Sequence, residues 1–165
     1  MNQRINIWLQ ICSLIFISFT VTAAPAADIK PFYASSMQNI LAVRQGKPFI
    51  LGLWSLSCTH CREDLHLLSA LSQKYPGLDL VLIATDAPDE ASLAATTMAR
   101  YPFKKMEHWI FADDFIEQLR YNIDRHWQGE LPRTYFYDAT HRARAISGKL
   151  NAIETERWII EHCRC

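Results

Sequence analysis

Residues 49–61 read FILGLWSLSCTHC and decide the fold. Phe49–Trp54 is a continuous apolar run of strand length, which is typical of a central strand covered on both faces. Cys58 follows at the end of this run, and the helical pattern of Thr59–Tyr75 begins immediately after it. The stretch therefore predicts a buried strand that passes into a helix, with a cysteine at the junction.

Cys58 and Cys61 lie where thiol chemistry is favoured. Unsatisfied amide N–H groups and the positive end of the helix dipole stabilise an anion at a helix N-terminus. Cys61 is about one turn further on, so the two sulfurs can meet and cycle between dithiol and disulfide. We expect Cys58 to be the exposed attacking thiolate and Cys61 the more buried resolving thiol. An inert disulfide is the alternative, although a bridge over so short a loop restrains the unfolded chain little.

His60 lies between the two cysteines. Its imidazole can hydrogen-bond to the Cys58 thiolate or, when protonated, pair with it electrostatically. Either interaction stabilises the reduced form, so His60 is expected to make the couple more oxidising.

Outside this stretch, helical and strand patterns alternate along the chain. Helices are predicted at Ser35–Arg44, Thr59–Tyr75, Glu90–Arg100, Asp113–Tyr121 and Ala152–His162. Strands are predicted at Phe49–Trp54, Leu78–Thr85, His108–Phe111, Arg133–Asp138 and Ala143–Ser147. The alternation favours right-handed βαβ units with a parallel core, and the short turn between the last two strands favours an antiparallel hairpin at the sheet edge. The predicted fold class is α/β, a mixed sheet with helices on both faces.

The first 26 residues have the layout of a secretory signal peptide. A short positive segment ending at Arg4 precedes an apolar run over residues 5–21, and small residues follow, so cleavage is expected after Ala23 or Ala26. An uncleaved membrane anchor is the alternative, because the run is at the short end of the ~17–25 residues that a bilayer requires. In either case the domain at 27–165 is expected in an extracytoplasmic space, periplasmic or secreted.

Composition limits the function classes. The 165 residues fit one domain behind a targeting segment, and the hydrophobic fraction of 50% is sufficient for a core. Lys+Arg 17 balance Asp+Glu 17, which leaves no basic excess for nucleic acid.

Four cysteines remain once Cys12, inside the apolar run, is set aside. They form two pairs by spacing, Cys58 with Cys61 and Cys163 with Cys165. The second pair, at the end of the chain, could form a small disulfide, bind a soft metal or relay electrons to the first pair. Incidental thiols in a frayed terminus are the alternative.

A family resemblance appears in the order of these features. Trp54, the Cys-x-x-Cys helix, the stretch LPRTYFYD at 131–138, the hairpin and the terminal helix together resemble the thioredoxin superfamily. Within it the TlpA/ResA-like extracytoplasmic thiol-disulfide oxidoreductases are the most similar branch, over Met37 to His162. The resemblance implies a thioredoxin-like three-layer sandwich that exchanges disulfides with Cys-containing secreted or periplasmic proteins. It also implies an upstream redox partner that resets the pair, and no cofactor.

The same resemblance implies roles for individual residues. Cys58 and Cys61 correspond to the redox pair, and Trp54 to the aromatic residue that leads into it and is expected to take part in substrate binding. Pro132 corresponds to a cis-proline that faces the pair and exposes backbone to an incoming strand. Leu131, just before it, is expected to contact the substrate.

Two positions depart from the family pattern. Gly52 stands where thioredoxins often have a buried Asp, so no carboxylate is evident there to deprotonate Cys61. The branch usually has Pro before the second cysteine, whereas this chain has His60, which resembles the oxidase DsbA. The sequence therefore leaves both directions of electron flow open.

A soft-metal binding protein or chaperone is the alternative function. Cys58, Cys61 and His66 could supply ligands for copper or zinc, with Cys163 and Cys165 completing the site if the chain end folds back. This reading requires His66 and the chain end to approach the first cysteine pair.

Overall fold

The computed structural model describes residues 29–163. The predicted signal peptide and Cys165 lie outside this range. The strands are β1 (Ile29–Phe32), β2 (Phe49–Trp54), β3 (Leu80–Ala84), β4 (Glu107–Phe111), β5 (Arg133–Tyr137) and β6 (Ala143–Ser147). The helices are α1 (Ser36–Ala42), α2 (Thr59–Lys74), α3 (Ala91–Met98), α4 (Ile116–Ile123) and α5 (Ala152–His162).

The six strands form one mixed sheet in the order β1-β4-β3-β2-β5-β6. Strands β1 to β4 pair in parallel, and β5 and β6 form an antiparallel hairpin at one edge, as predicted. Trp54, Ala84 and Ile110 are aligned in neighbouring parallel strands. The loops that follow β2, β3 and β4 therefore meet at one edge of the sheet.

Helices cover both faces of the sheet, which confirms the predicted layers. Side chains of α2, α3 and α5 pack on the face that carries Ile50 and Trp54. Side chains of α1 and α4 pack on the opposite face, against Phe49, Leu51 and Leu53. Successive residues of a strand point to opposite faces, so a strand buried on both must be apolar throughout.

Several predicted boundaries differ from the structure by one to three residues, and one strand is new. Strand β1 was not predicted, because IKPF is short and contains a proline, and it occupies the edge beside β4, where a missing N–H is tolerated. Helix α4 begins at Ile116 rather than at Asp113, since the Asp113 carboxylate accepts a hydrogen bond from the Phe115 amide and forms a turn. Within residues 29–163, no helix has both the length and the apolarity needed to cross a bilayer.

Candidate active site

Cys58 and Cys61 are joined by a disulfide at the start of α2, with their α-carbons 5.3 Å apart. Cys58 is the N-cap residue, and its Sγ accepts a hydrogen bond from the Cys61 amide at 3.1 Å. Cys58 is half-buried and Cys61 is fully buried. A partner can therefore approach Cys58, while Cys61 is reached only from within the molecule.

The loop before Cys58 is fixed by a carboxylate from the neighbouring strand connection. Asp86, just after β3, accepts the Leu56 amide with both carboxylate oxygens, at 3.0 and 3.1 Å. The Cys58 amide donates to the Ser55 carbonyl at 3.2 Å. Burial raises the pKa of Asp86 above its ordinary value. These contacts hold the turn that presents Cys58.

His60 lies on the surface of the first turn of α2 and is 72% exposed. Its Nδ1 is 3.4 Å from a Glu63 carboxylate oxygen, and Glu63 also forms an ion pair with Lys149. In the disulfide form the imidazole therefore faces Glu63. The interaction of His60 with a Cys58 thiolate stays a prediction.

The Leu131–Pro132 peptide bond is cis. Pro132 is buried and lines a small cavity together with Cys61, while Leu131 is half-buried. The Trp127 indole is buried and donates to the Glu130 carbonyl at 2.9 Å. Trp127 therefore fixes the loop that leads to Leu131.

Asp64 is a site residue that the sequence reasoning missed. It lies one helical turn after Cys61 and lines the same cavity, whose volume of about 10 Å³ is close to that of one water molecule. Its Oδ1 accepts the Leu150 amide at 3.0 Å, and its Oδ2 has no hydrogen-bond partner within residues 29–163. Burial raises the pKa of Asp64 to about 6. The sequence signal was an acidic residue within the apolar stripe of α2.

Trp54 is only 2% exposed and stacks on His108, with ring centroids 5.7 Å apart. Neither its indole nitrogen nor either nitrogen of His108 has a hydrogen-bond partner among the described residues. Burial lowers the pKa of His108 to about 4. Trp54 therefore lies in the core beneath the active-site turn, and its predicted contact with a substrate stays a prediction.

The structure does not bring the residues of the alternative metal site together. His66 is on the exposed side of α2 and packs edge-on against Tyr101, 4.8 Å between centroids. Cys163 lies beside Pro48 and Asp79, just before β2 and β3, whereas Cys58 follows the other end of β2. Six strand residues at ~3.3 Å each separate the two positions by about 20 Å.

The comparisons with known proteins agree with this architecture. No family model matches the sequence, and no curated protein matches it. Among solved structures, a secreted Mycobacterium tuberculosis disulfide oxidoreductase homologous to E. coli DsbE is 24% identical, with a TM-score of 0.55 over 73% of this chain and 85% of that chain.

Two further solved structures are similar. A thiol:disulfide interchange protein of the thioredoxin family from Chlorobium tepidum is 17% identical, with a TM-score of 0.58 over 74% of this chain and 83% of that chain. The exposed lipoprotein thioredoxin Etrx1 from Streptococcus pneumoniae is 14% identical, with a TM-score of 0.54 over 73% and 89%. The chain thus has the thioredoxin-like fold of these proteins, with a Cys-x-x-Cys disulfide at the start of α2.

Proposed function

We propose that this protein is an extracytoplasmic thiol-disulfide oxidoreductase that acts on Cys-containing proteins. The observation that carries the proposal is the Cys58–Cys61 disulfide, with one sulfur accessible and the other buried beside the Asp64 carboxylate. The thioredoxin-like fold is shared with a secreted disulfide oxidoreductase and a thiol:disulfide interchange protein, which supports this reaction class.

In the reductase direction the reaction has two steps. The Cys58 thiolate attacks one sulfur of a substrate disulfide, and the other substrate sulfur leaves as a thiolate that takes a proton from water. Cys61 then attacks the Cys58 sulfur of the mixed disulfide and releases the second substrate thiolate. Two electrons pass to the substrate, and the Cys58–Cys61 disulfide is formed. The oxidase direction runs the same steps backwards.

Asp64 is proposed as the proton acceptor for Cys61 in the second step. A buried thiol must lose its proton before it can attack, and bulk water does not reach a fully buried Cys61 freely. Asp64 lines the same small cavity as Cys61, and its Oδ2 has no hydrogen-bond partner among the described residues, so it is available to take the proton directly or through one water molecule. A pKa of about 6 leaves the carboxylate ionised at neutral pH and a stronger base than an exposed Asp.

The remaining predicted site residues take supporting roles. We propose that a partner strand lies against Leu131 and Pro132 while Cys58 holds the mixed disulfide. His60 is proposed to stabilise the Cys58 thiolate, and Trp54 to support the active-site turn from within the core. We propose an extracytoplasmic location, which the predicted signal peptide and the similarity to a secreted and an exposed protein support.

Insulin reduction by the purified protein with dithiothreitol tests the proposal. We expect Cys58→Ser to abolish the acceleration over dithiothreitol alone, since the attacking sulfur is lost. Cys61→Ser retains the attacking sulfur and should accumulate a mixed disulfide with the substrate, visible on a non-reducing gel. Equal activity of wild type and Cys58→Ser would exclude the assignment. Stoichiometric copper or zinc retained through purification under reducing conditions would favour the metal-binding alternative instead.

A further inference from the structure

A cationic pocket lies on the connection between α4 and β5. It has a volume of about 190 Å³ and is lined by Arg120, Arg125, Glu117, Tyr121, Trp127 and Gln128. The Arg120 guanidinium lies over the Trp127 ring, 5.8 Å from its centroid. A Cβ placed on Gly129 would be 3.0 Å from the guanidinium carbon, so the loop backbone also lies close to the guanidinium. The ring and the loop together restrict the positions open to Arg120.

The pocket has two guanidinium groups and one carboxylate, Glu117, so its formal charge is positive. Within the described part of the chain, no carboxylate lies within ion-pair distance of Arg120 or Arg125, and the buried Nε of Arg120 has no hydrogen-bond partner. The nearby Arg133, in contrast, pairs with Asp124 at 3.0 Å and Glu130 at 3.2 Å. A partly buried guanidinium without a partner favours binding of an oxyanion.

The pocket lies at the end of the molecule that carries the disulfide. Asn122 donates to the Ala34 carbonyl, just beyond the carboxyl end of β1, and Asp124 pairs with Arg133 at the start of β5. Gly129 precedes Leu131 by two residues, so their α-carbons are at most about 7 Å apart. A polypeptide lying against Leu131 would place its neighbouring side chains near Arg120 and Arg125.

We propose that Arg120 and Arg125 form a recognition subsite for a carboxylate side chain of the partner polypeptide. The inference rests on the proposed function, because it assumes that a partner strand lies along Leu131 and Pro132. Disulfides flanked by Asp or Glu are then the preferred substrates. Arg120 supplies the fixed donors beside the Trp127 ring, and Arg125, which is exposed, adds a mobile second charge.

The test compares two families of disulfide-bonded peptides that differ only in having Glu or Gln at positions flanking the cysteines. The rate of disulfide reduction by the reduced wild-type protein is measured by stopped flow in low salt. We expect the best Glu peptide to react about three- to ten-fold faster than its Gln counterpart, and the ratio to fall in high salt. In Arg125→Gln the ratio should fall towards one.

Further variants separate recognition from folding. Arg120→Lys keeps a charge beside Trp127 and should retain part of the preference, while Arg120→Gln should lose it. Glu117→Gln removes a competing carboxylate from the pocket and should strengthen the preference. Arg100→Gln, at an exposed position after α3, is the matched control and should leave the ratio unchanged.

The outcomes distinguish the subsite from the reaction itself. Equal rates for Glu and Gln peptides at every flanking position, with normal insulin reduction, would overturn the subsite and leave the proposed function standing. A preference that persists in Arg125→Gln and Arg120→Gln would also overturn it. If the wild-type protein does not reduce insulin at all, the proposed function and the subsite are overturned together.

Discussion

The buried environment of Asp64 disfavours the ionised form of its carboxyl group. Burial raises its pKa from 3.8 to about 6, so the native state holds this proton more tightly than the unfolded chain does. Between about pH 4 and pH 6 the unfolded state loses the proton first, and the free energy of unfolding falls as the pH rises. Asp64 therefore destabilises the oxidised fold at neutral pH.

Replacing Asp64 by Asn separates stability from turnover. The Asn side-chain oxygen can still accept the Leu150 amide, but the buried charge is gone. We expect the oxidised Asp64→Asn protein to unfold with a free energy about 1–3 kcal/mol higher at pH 7 and nearly unchanged at pH 4, measured in urea. The release of substrate from the mixed disulfide at pH 7 should slow by about a hundred-fold, because Cys61 lacks its base.

Glu63→Gln is the matched control for this substitution. Glu63 is the adjacent acidic residue but is exposed and paired with Lys149. Its replacement should leave both the pH dependence of stability and the release of substrate close to wild type. An unchanged release rate in Asp64→Asn would remove Asp64 from the proposed mechanism.

At the scale of single residues, the sequence was sufficient to predict where the two cysteines lie, but not which side chains surround them. The position of Cys58 and Cys61 follows from a local pattern, a buried strand followed by a helix. The buried carboxylate of Asp64 accepts a hydrogen bond from the amide of Leu150, which is 86 residues away in the sequence. The local spacing places an acidic residue in the apolar stripe of α2 but does not show the partner that accompanies its burial.

Helix α2 combines the two sulfurs, the N-terminal amides and His60 in its first turn. The Cys61 amide already donates to the Cys58 sulfur, and a thiolate there would accept the same hydrogen bond more strongly. His60 occupies the second helical position, where the amide has no partner further back in the helix. Proline is therefore tolerated at this position, and the His60 side chain can be removed without breaking the helix.

We predict that His60→Pro lowers the reduction potential of the Cys58/Cys61 couple by about 10–30 mV, because the reduced form loses a favourable interaction with the thiolate. Equilibration with glutathione measures this potential. His126→Gln serves as the control, because His126 is also a surface histidine, 76% exposed, and its replacement should not change the reduction potential. An unchanged potential in His60→Pro would show that the imidazole does not tune the couple.

Among the elements, the long periodic ones were predictable and the short edge strand was not. The predicted bounds of β2, β6 and α5 agree with the structure, since each has a clear apolar pattern or a marked end. Strand β1 is defined by its pairing with β4, and only the assembled sheet shows this pairing.

At the scale of the whole molecule, Cys163 is at the opposite end of the sheet from the disulfide. Cys163 lies just before β2 and β3, about 20 Å from the turn that carries Cys58. Cys165 follows Cys163 by two residues and can extend at most about 7 Å from it. Transfer of electrons between the two pairs within one molecule is therefore excluded by distance.

We accordingly expect the double variant Cys163→Ser/Cys165→Ser to retain the wild-type potential of the Cys58/Cys61 couple and the wild-type rate of insulin reduction. Both are measured on the full chain at low protein concentration, so that exchange between molecules is slow. A tenfold loss of rate with an unchanged fold would reinstate a relay role for the chain end.

Gly52, Cys61 and Asp64 share one cavity, yet only the last two belong to the same helix. Because Cys61 and Asp64 lie one turn apart on α2, a movement of this helix in a mixed disulfide would carry the proposed base together with its thiol. A carboxylate at the position of Gly52, on β2, would instead stay with the sheet while the helix moved. We therefore expect the second step to tolerate partners of different shapes.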